Sequence, residues 1–494
     1  MKKFFTLFLL LCSFGPRAHA SSTLPDTLSG VVKGVTSANH TYVVKDSLVV
    51  NVGDTLLVSS GDTLLMASPL GWIHIFGTFI CDGNSTSRNV ITVPASRGAM
   101  PGLWGGIVGD SCKYIEVRFT NILWAGGNDA GGHAYRTFDI YSDFANTTTT
   151  VFTDNYVVGT VDDCIGLHGG NASVLRNVIK WCGAPDGDNI NVKSGTIGEI
   201  AYNVIWASGG NGIKLNADAT LPRLTNMCIH NNTVVAGGWR RVGELGYAIV
   251  VDKSARAQIY NNIMGDMYQE LEITNKADTT RTVYDNNLFF YSADSLNNAN
   301  GRYYPSDGIG HPAAHDVIDV MAANLFKNYH PYFTNDYTAL DGSNDYRILS
   351  TSAAAGHGFT PPAPTGSNHW GNPYFGNGAT TLPGDANIGA LGLATVAGIG
   401  AERSALATSY ALGQNYPNPF NPSTVITYQI PAGGTVRVSV FDLLGREVMK
   451  LLDEEQSPGL HAVTFEAGRL PSGTYLYRIQ AGPFTAVKKM VLMK

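Results

Sequence analysis

Charge is scarce in this chain. Asp, Glu, Lys and Arg make up 15% of its 494 residues, against about 25% in an average soluble protein. The formal net charge is −6. With no overall basic field, nucleic acid is not expected as a partner, and an acidic ligand would need a local cluster of cations or a bound metal ion. Long hydrophobic runs are also missing: beyond the N-terminus nothing approaches the roughly 20 apolar residues of a membrane-spanning helix. No apolar period of 3.6 residues is sustained, which argues against a helical solenoid. Cysteine is sparse, with six in all.

Glycine, in contrast, is abundant at 56 residues, which suits extended structure with many turns. The opening stretch MKKFFTLFLLLCSFGPRAHASS has two lysines, an apolar run and Ala18-His19-Ala20 in A-x-A form. It reads as a secretory signal over residues 1–20, cleaved after Ala20, so the mature chain is exported. Cleavage removes Cys12. The remaining Cys81, Cys112, Cys164, Cys182 and Cys228 are odd in number and allow at most two internal disulfides, and their scattered spacing is not that of a zinc site. Cys164 and Cys182 are close to one repeat apart and are a candidate disulfide between stacked turns.

The middle of the chain repeats itself loosely. Asn155, Asn177, Asn203, Asn232, Asn262 and Asn287 recur in TDNYVV, LRNVI, AYNVI, HNNTV, YNNIM and DNNLF. A second series, DCIGLH, DNINVK, NGIKLN, YAIVVD and QELEIT, keeps the same phase and centres on Ile165, Ile190, Ile213, Ile249 and Leu271. Each repeat therefore holds at least two short strands. A strand of about five residues cannot bury its apolar face alone, but stacked repeats pair every strand above and below at about 4.8 Å. The expectation is a parallel β-helix, with the Asn series lined up at a turn, tolerating left-handed backbone and bonding along the stack.

Alternation along these strands predicts three outward rows beside the inward series: Cys164, Asn189, Gly212, Ala248 and Glu270; then Gly166, Asn191, Lys214, Val250 and Glu272; then His168, Lys193, Asn216, Asp252 and Thr274. Asp162, Asp163, Asp188 and Asn211 fall at the preceding turn. Such a polar strip suits a saccharide, with Asn189, Asn191, Asn216, Asp252, Glu270 and Glu272 as binding residues. β-Elimination on a uronic acid would use Lys193 or Lys214 as base, His168 as a further acid–base group, and Ca²⁺ on Asp162, Asp163 and Asp188 to neutralise the carboxylate. Hydrolysis would instead need two or more carboxyl groups as acid and base, set apart for an attacking water.

The stretch from DSLVVNVGDTLLVSSGDTLLMASPLGWIHIFGTFICDG through VITVPAS and LWGGI resembles the opening coils of right-handed β-helix proteins of the pectate-lyase-like superfamily, and the resemblance runs from about Leu28 to Leu393. It implies a fold that hosts lyases, hydrolases, epimerases and adhesins alike. DDCIGLHGG is similar to the Asp-Asp-Cys segment of polygalacturonases, and NGIKL to their Arg-Ile-Lys strand. That match implies catalytic Asp162 and Asp163 and substrate-binding Lys214, although PDGDN replaces the family's Gly-His-Gly and its Asn-Thr-Asp is not evident one coil earlier. After small residues at 395–411, alternating strands separated by PAGG and LPSG suggest a small β-sandwich over 412–494. With YPNPFNP at its head and VFDLLGREV within, this segment resembles the C-terminal sorting domain of the type IX secretion system, which implies that machinery as a partner and a destination at the cell surface or in the medium.

The reading is an all-β chain: a signal peptide (1–20), a right-handed parallel β-helix (21–394), a linker (395–411) and a sorting sandwich (412–494), expected as a monomer. It is expected to act on an acidic polysaccharide as a lyase, with polygalacturonase-like hydrolysis or non-catalytic glycan adhesion as alternatives.

Overall fold

The computed structural model describes residues 24–127, 135–142, 147–183, 187–206, 209–217, 224–235, 237, 246–267, 269–291, 313–329, 345–361, 386–391, 411–412, 415, 420, 422–430, 434–456, 459–468 and 470–493. The signal segment and the linker apart from residue 411 lie outside these.

Each full coil carries three strands, one more than the two series required. In the coil that opens with Ile165–His168, the chain continues through Asn171–Leu175 and Val178–Cys182, then starts the next coil at Ile190–Lys193. Corresponding strands pair in parallel and in register, Ile165 with Ile190, Ile190 with Ile213, Ile213 with Ile249 and Ile249 with Leu271. The expected inward series is therefore a single column. Middle strands form one sheet of ten parallel strands. Among the described residues the first and third faces join at the N-terminal coil, where the long strand Thr41–Val50 pairs with both Thr63–Met66 and Ile73–Ile75. One apolar core runs from Leu28 to Phe289 inside the coils.

The Asn series forms a ladder between the second and third faces. Asn177 Nδ2 donates to Asn203 Oδ1 at 2.9 Å, Asn203 to Asn232 at 2.9 Å, Asn232 to Asn262 at 2.9 Å and Asn262 to Asn287 at 3.0 Å. Each Oδ1 also accepts the backbone N–H of the previous member. All six are buried, and a buried amide is tolerated only when its hydrogen bonds are made. The left-handed residue of the turn is not the ladder Asn, as expected, but the residue before it: Asp154 (φ 60°), Arg176 (56°), Tyr202 (58°), Asn231 (51°), Asn261 (56°) and Asn286 (55°). The bend must precede the ladder residue for its amide to point along the stack.

Cys164 and Cys182 lie side by side in the core as free thiols, which corrects the expected disulfide. Each has a hydrogen-bond partner instead: Thr160 Oγ1 donates to Cys164 Sγ and Cys182 Sγ to the Lys180 carbonyl. Phe326 and Tyr346 pack on the outer side of the third face against Trp181, Val204, Trp206 and Phe290, with Tyr329 at their edge.

The C-terminal unit has a three-stranded and a four-stranded antiparallel sheet. Ile426, Tyr428 and Phe465 of the first and Val438, Tyr477, Ile479 and Met490 of the second share one core, as expected for a β-sandwich.

Candidate functional site

On the first face, stacking brings residues from four coils onto one patch. Its centre is Arg136, in the turn before strand Phe138–Tyr141. Its Nη1 donates to Asp139 Oδ2 at 3.0 Å and to the Tyr141 hydroxyl at 3.2 Å, and lies 3.4 Å from His168 Nε2. Its Nε faces Asp163 Oδ2 at 3.4 Å and Asp162 Oδ2 at 3.6 Å. Three carboxylates from two coils thus surround one guanidinium. Burial works against its charge, but Asp139 and Asp163 outweigh this and push the guanidinium above its ordinary value.

His168 sits one coil on from Tyr141, in register with it, and the two rings stack at 3.9 Å between centroids. Its Nε2 is 3.1 Å from Asp139 Oδ1. Burial pushes the imidazole below its ordinary 6.5 even though the Asp139 contact pulls upward. Tyr141 is pushed up by burial and by the Asp139 charge.

The Asp-Asp pair divides. Asp163 and Asp188 belong to a second ladder at the corner that leads into the first face: Asp188 N–H donates to Asp163 Oδ1 at 3.0 Å, Asn211 N–H to Asp188 Oδ1 at 2.8 Å and Tyr247 N–H to Asn211 Oδ1 at 2.9 Å. Asn191 Nδ2 bridges Asp163 Oδ2 and Asp188 Oδ2. Both carboxylates are buried, whereas the Asp162 side chain is 35% exposed. Burial first, then the neighbouring Asp163 charge, pushes Asp188 upward, and Lys214 offsets part of this from 3.6 Å.

The lysines differ in the same way. Lys214 is ion-paired to Asp188. Lys193, in register with His168, has no hydrogen-bond or ion-pair partner among the described residues. Burial lowers its ammonium below 10.5, with Asp163 pulling the other way.

Among the expected site residues, Asp162, Asp163, His168, Asp188, Asn191, Lys193 and Lys214 therefore come together. Asn189 and Glu270 do not join the accessible strip. The whole row that precedes the inward column is buried: Cys164 and Asn189 lie at the corner, just before strands Ile165–His168 and Ile190–Lys193 begin, while Ala248 and Glu270 are buried within strands Tyr247–Val251 and Gln269–Ile273. Glu272 is also buried. Asp252 lies further along and accepts from Thr274 Oγ1 at 2.7 Å, with Asn216 on the coil between it and Lys193. Among the described residues no three His, Cys, Asp or Glu side chains converge as a metal site. The carboxylates expected to hold calcium face Arg136, Lys214 and amide donors.

Arg136, Asp139 and Tyr141 were missed by sequence reasoning. FDIY at 138–141 carries the alternation of the second series one coil upstream, so Asp139 and Tyr141 had a usable signal. Arg136 lies outside any strand and had none.

Residues 414–493 match the family model of a secretion system C-terminal sorting domain. No curated protein and no solved structure matches the chain. The sorting domain directs the chain to the cell surface or exterior through the type IX machinery. Among the described residues no helix is long and apolar enough to cross a membrane.

Proposed function

We propose that this exported β-helix cleaves an acidic polysaccharide by β-elimination, with Lys193 as the base. The observation that carries the reading is the Lys193 amine, without a hydrogen-bond or ion-pair partner among the described residues, on a patch where Arg136 and Lys214 are held in place by carboxylates. Burial favours its neutral form, as proton abstraction requires. Lys193 takes the proton at C5 of a uronate, its electrons form the C4–C5 double bond, and the C4–oxygen bond breaks; the leaving oxygen takes up a proton. Lys214, 31% exposed, and Arg136, 18% exposed, offer cations to the substrate carboxylate. Asp139 and Tyr141 position His168 and Arg136. No step is routed through calcium.

The test is incubation with pectate, alginate and glycosaminoglycans, with calcium added or chelated, following the ultraviolet absorbance of unsaturated uronate and the release of reducing ends. Unsaturation that is lost in Lys193→Ala supports the reading. Reducing ends without unsaturation overturn it in favour of hydrolysis, for which Asp162 is the accessible carboxylate. Glycan binding with neither product would assign the chain to adhesion.

A further inference from the structure

The corner between the second and third faces is used in two ways along the stack. On late coils the chain's own later segment fills it. Asn261 Nδ2 donates to the Phe359 carbonyl at 2.9 Å and its Oδ1 accepts the Phe359 N–H at 2.8 Å, while Asn231 Nδ2 donates to the Asn387 carbonyl at 3.0 Å. On early coils the same position, immediately before the ladder, carries Arg88, Phe119, Asp154 and Arg176, and these line an open cleft of about 350 Å³ together with Asn121 and Tyr156. That volume is at the lower end of the range for small-ligand sites, about 300–1,000 Å³.

Local backbone preference suits Asp154 but does not explain Phe119 and Arg176. Phe119, Asp154 and Arg176 have φ of 44°, 60° and 56°, a region that disfavours residues with a Cβ and that Asn and Asp tolerate best. The late coils do use Asn there, at Asn231, Asn261 and Asn286. Phe and Arg on the early coils carry the same strain without that compensation, a pattern associated with function.

The cleft is cationic. Arg176 clamps Asp154 through two bonds of 3.0 and 2.9 Å, and Arg88 donates from Nε to Asn121 and from Nη2 to the Asp154 carbonyl, both at 2.8 Å. Among the described residues neither Arg88 Nη1 nor Arg176 Nη1 has a partner. Two guanidinium groups thus meet at Asp154, Arg176 on its carboxylate and Arg88 on its backbone carbonyl, and the Lys180 ammonium lies 4.9 Å from the centre of the Tyr156 ring. Phe119, with Arg88 over its ring at 5.9 Å, adds an apolar wall. Fixed guanidinium forks suit a planar carboxylate, and an aromatic wall suits the apolar face of a sugar ring.

We propose that this cleft is a second binding site, separate from the first-face patch, for a carboxylate-bearing sugar residue of a glycan. It does not rest on the elimination reading, since it needs no chemistry. The probe is a galacturonate tetrasaccharide, titrated calorimetrically into the full chain carrying Lys193→Ala so that it is not consumed, with a neutral galactose tetrasaccharide and a tetraglutamate peptide as controls. The expected result is binding of the uronate that weakens at least tenfold in Arg176→Gln and in Arg88→Gln and weakens with added salt, with little binding of either control. Lys214→Ala, on the other face, should leave this component unchanged. If Arg88→Gln fails to fold, Arg176→Gln and Tyr156→Ala decide the matter. Unchanged uronate affinity in well-folded Arg176→Gln, equal affinity for the neutral sugar or the peptide, or no binding at all would overturn the proposal. Binding here without turnover by the parent chain would leave it standing while the elimination reading failed.

Discussion

The β-helix and the C-terminal sandwich are both all-β, but they place their polar groups in opposite ways. In the sandwich, antiparallel pairing joins strands close in sequence, such as Gly434–Phe441 with Glu447–Gln456 and Gly473–Ala481 with Phe484–Leu492. Its ion pairs, Arg437 with Glu447 and Lys450 with Asp453, sit on the outside. In the coils of the β-helix strands pair in parallel with those a full coil away, and two polar ladders run through buried corners. A side chain in the helix is therefore bonded to the coils above and below, whereas a surface side chain in the sandwich answers only to its hairpin. Substitutions should be felt very differently in the two.

The largest effect is expected where the helix exposes chemistry. Lys193→Ala should lower turnover of an acidic polysaccharide by roughly 10²–10⁴-fold, the usual contribution of a positioned base, with Tm nearly unchanged. Rates of the parent chain should rise with pH until the amine is neutral, at a pH below that of a solvated lysine because burial lowers it from 10.5. A flat rate profile over that interval would count against Lys193.

Next comes Arg136→Met. It removes the guanidinium from beside Asp139, whose side chain is fully buried, and Asp163, leaving both carboxylates with their other contacts but without that countercharge, so a loss of about 3–5 kcal/mol is expected in chemical denaturation. Asn232→Ala should follow at about 2–4 kcal/mol. It takes one donor from each of the carbonyls of Ile200 and His230 and removes the acceptor used by Asn203. A loss as small as that of a surface residue would mean that the ladder is not continuous.

Acid should pick out His168. Because burial holds its folded value below the ordinary 6.5, the unfolded chain takes up the proton first as pH falls. Its contribution is fully present above about pH 6.5 and is lost as pH drops toward the folded value, so His168→Gln should flatten that part of a Tm-versus-pH curve. Arg136 and Lys193 repel the added proton and Asp139 attracts it, so an increase in stability on acidification would show that the Asp139 attraction outweighs burial. The smallest effect belongs to the sandwich: Lys450→Ala, which breaks an exposed pair at 3.0 Å, should change stability by less than about 0.5 kcal/mol.

Much of the architecture was legible because a stacked fold writes its register into the sequence. Ile165, Ile190, Ile213, Ile249 and Leu271 had to be apolar to share one column, and the Asn ladder had to recur once per coil. The sorting domain was legible because its turns and strands are contiguous. The site was only half legible. Lys193 and Lys214 fell into rows that reach the patch, but the row of Asn189 and Glu270 is buried: Asn189 sits at the corner before its strand begins, where alternation no longer holds, and Glu270 is covered within its strand. Arg136 was invisible because a turn has no period.

The sequence by itself determined the coil register, the Asn ladder and the export address, since each follows from local pattern repeated or concatenated along the chain. Only the tertiary structure decided which of two adjacent aspartates is a ladder rung and which faces solvent, which lysine is paired, and which arginine gathers three carboxylates. Those outcomes depend on angles at the corners between strands and on which side chains from different coils come within a few ångströms. Such distances are set by stacking and are not encoded in any one repeat.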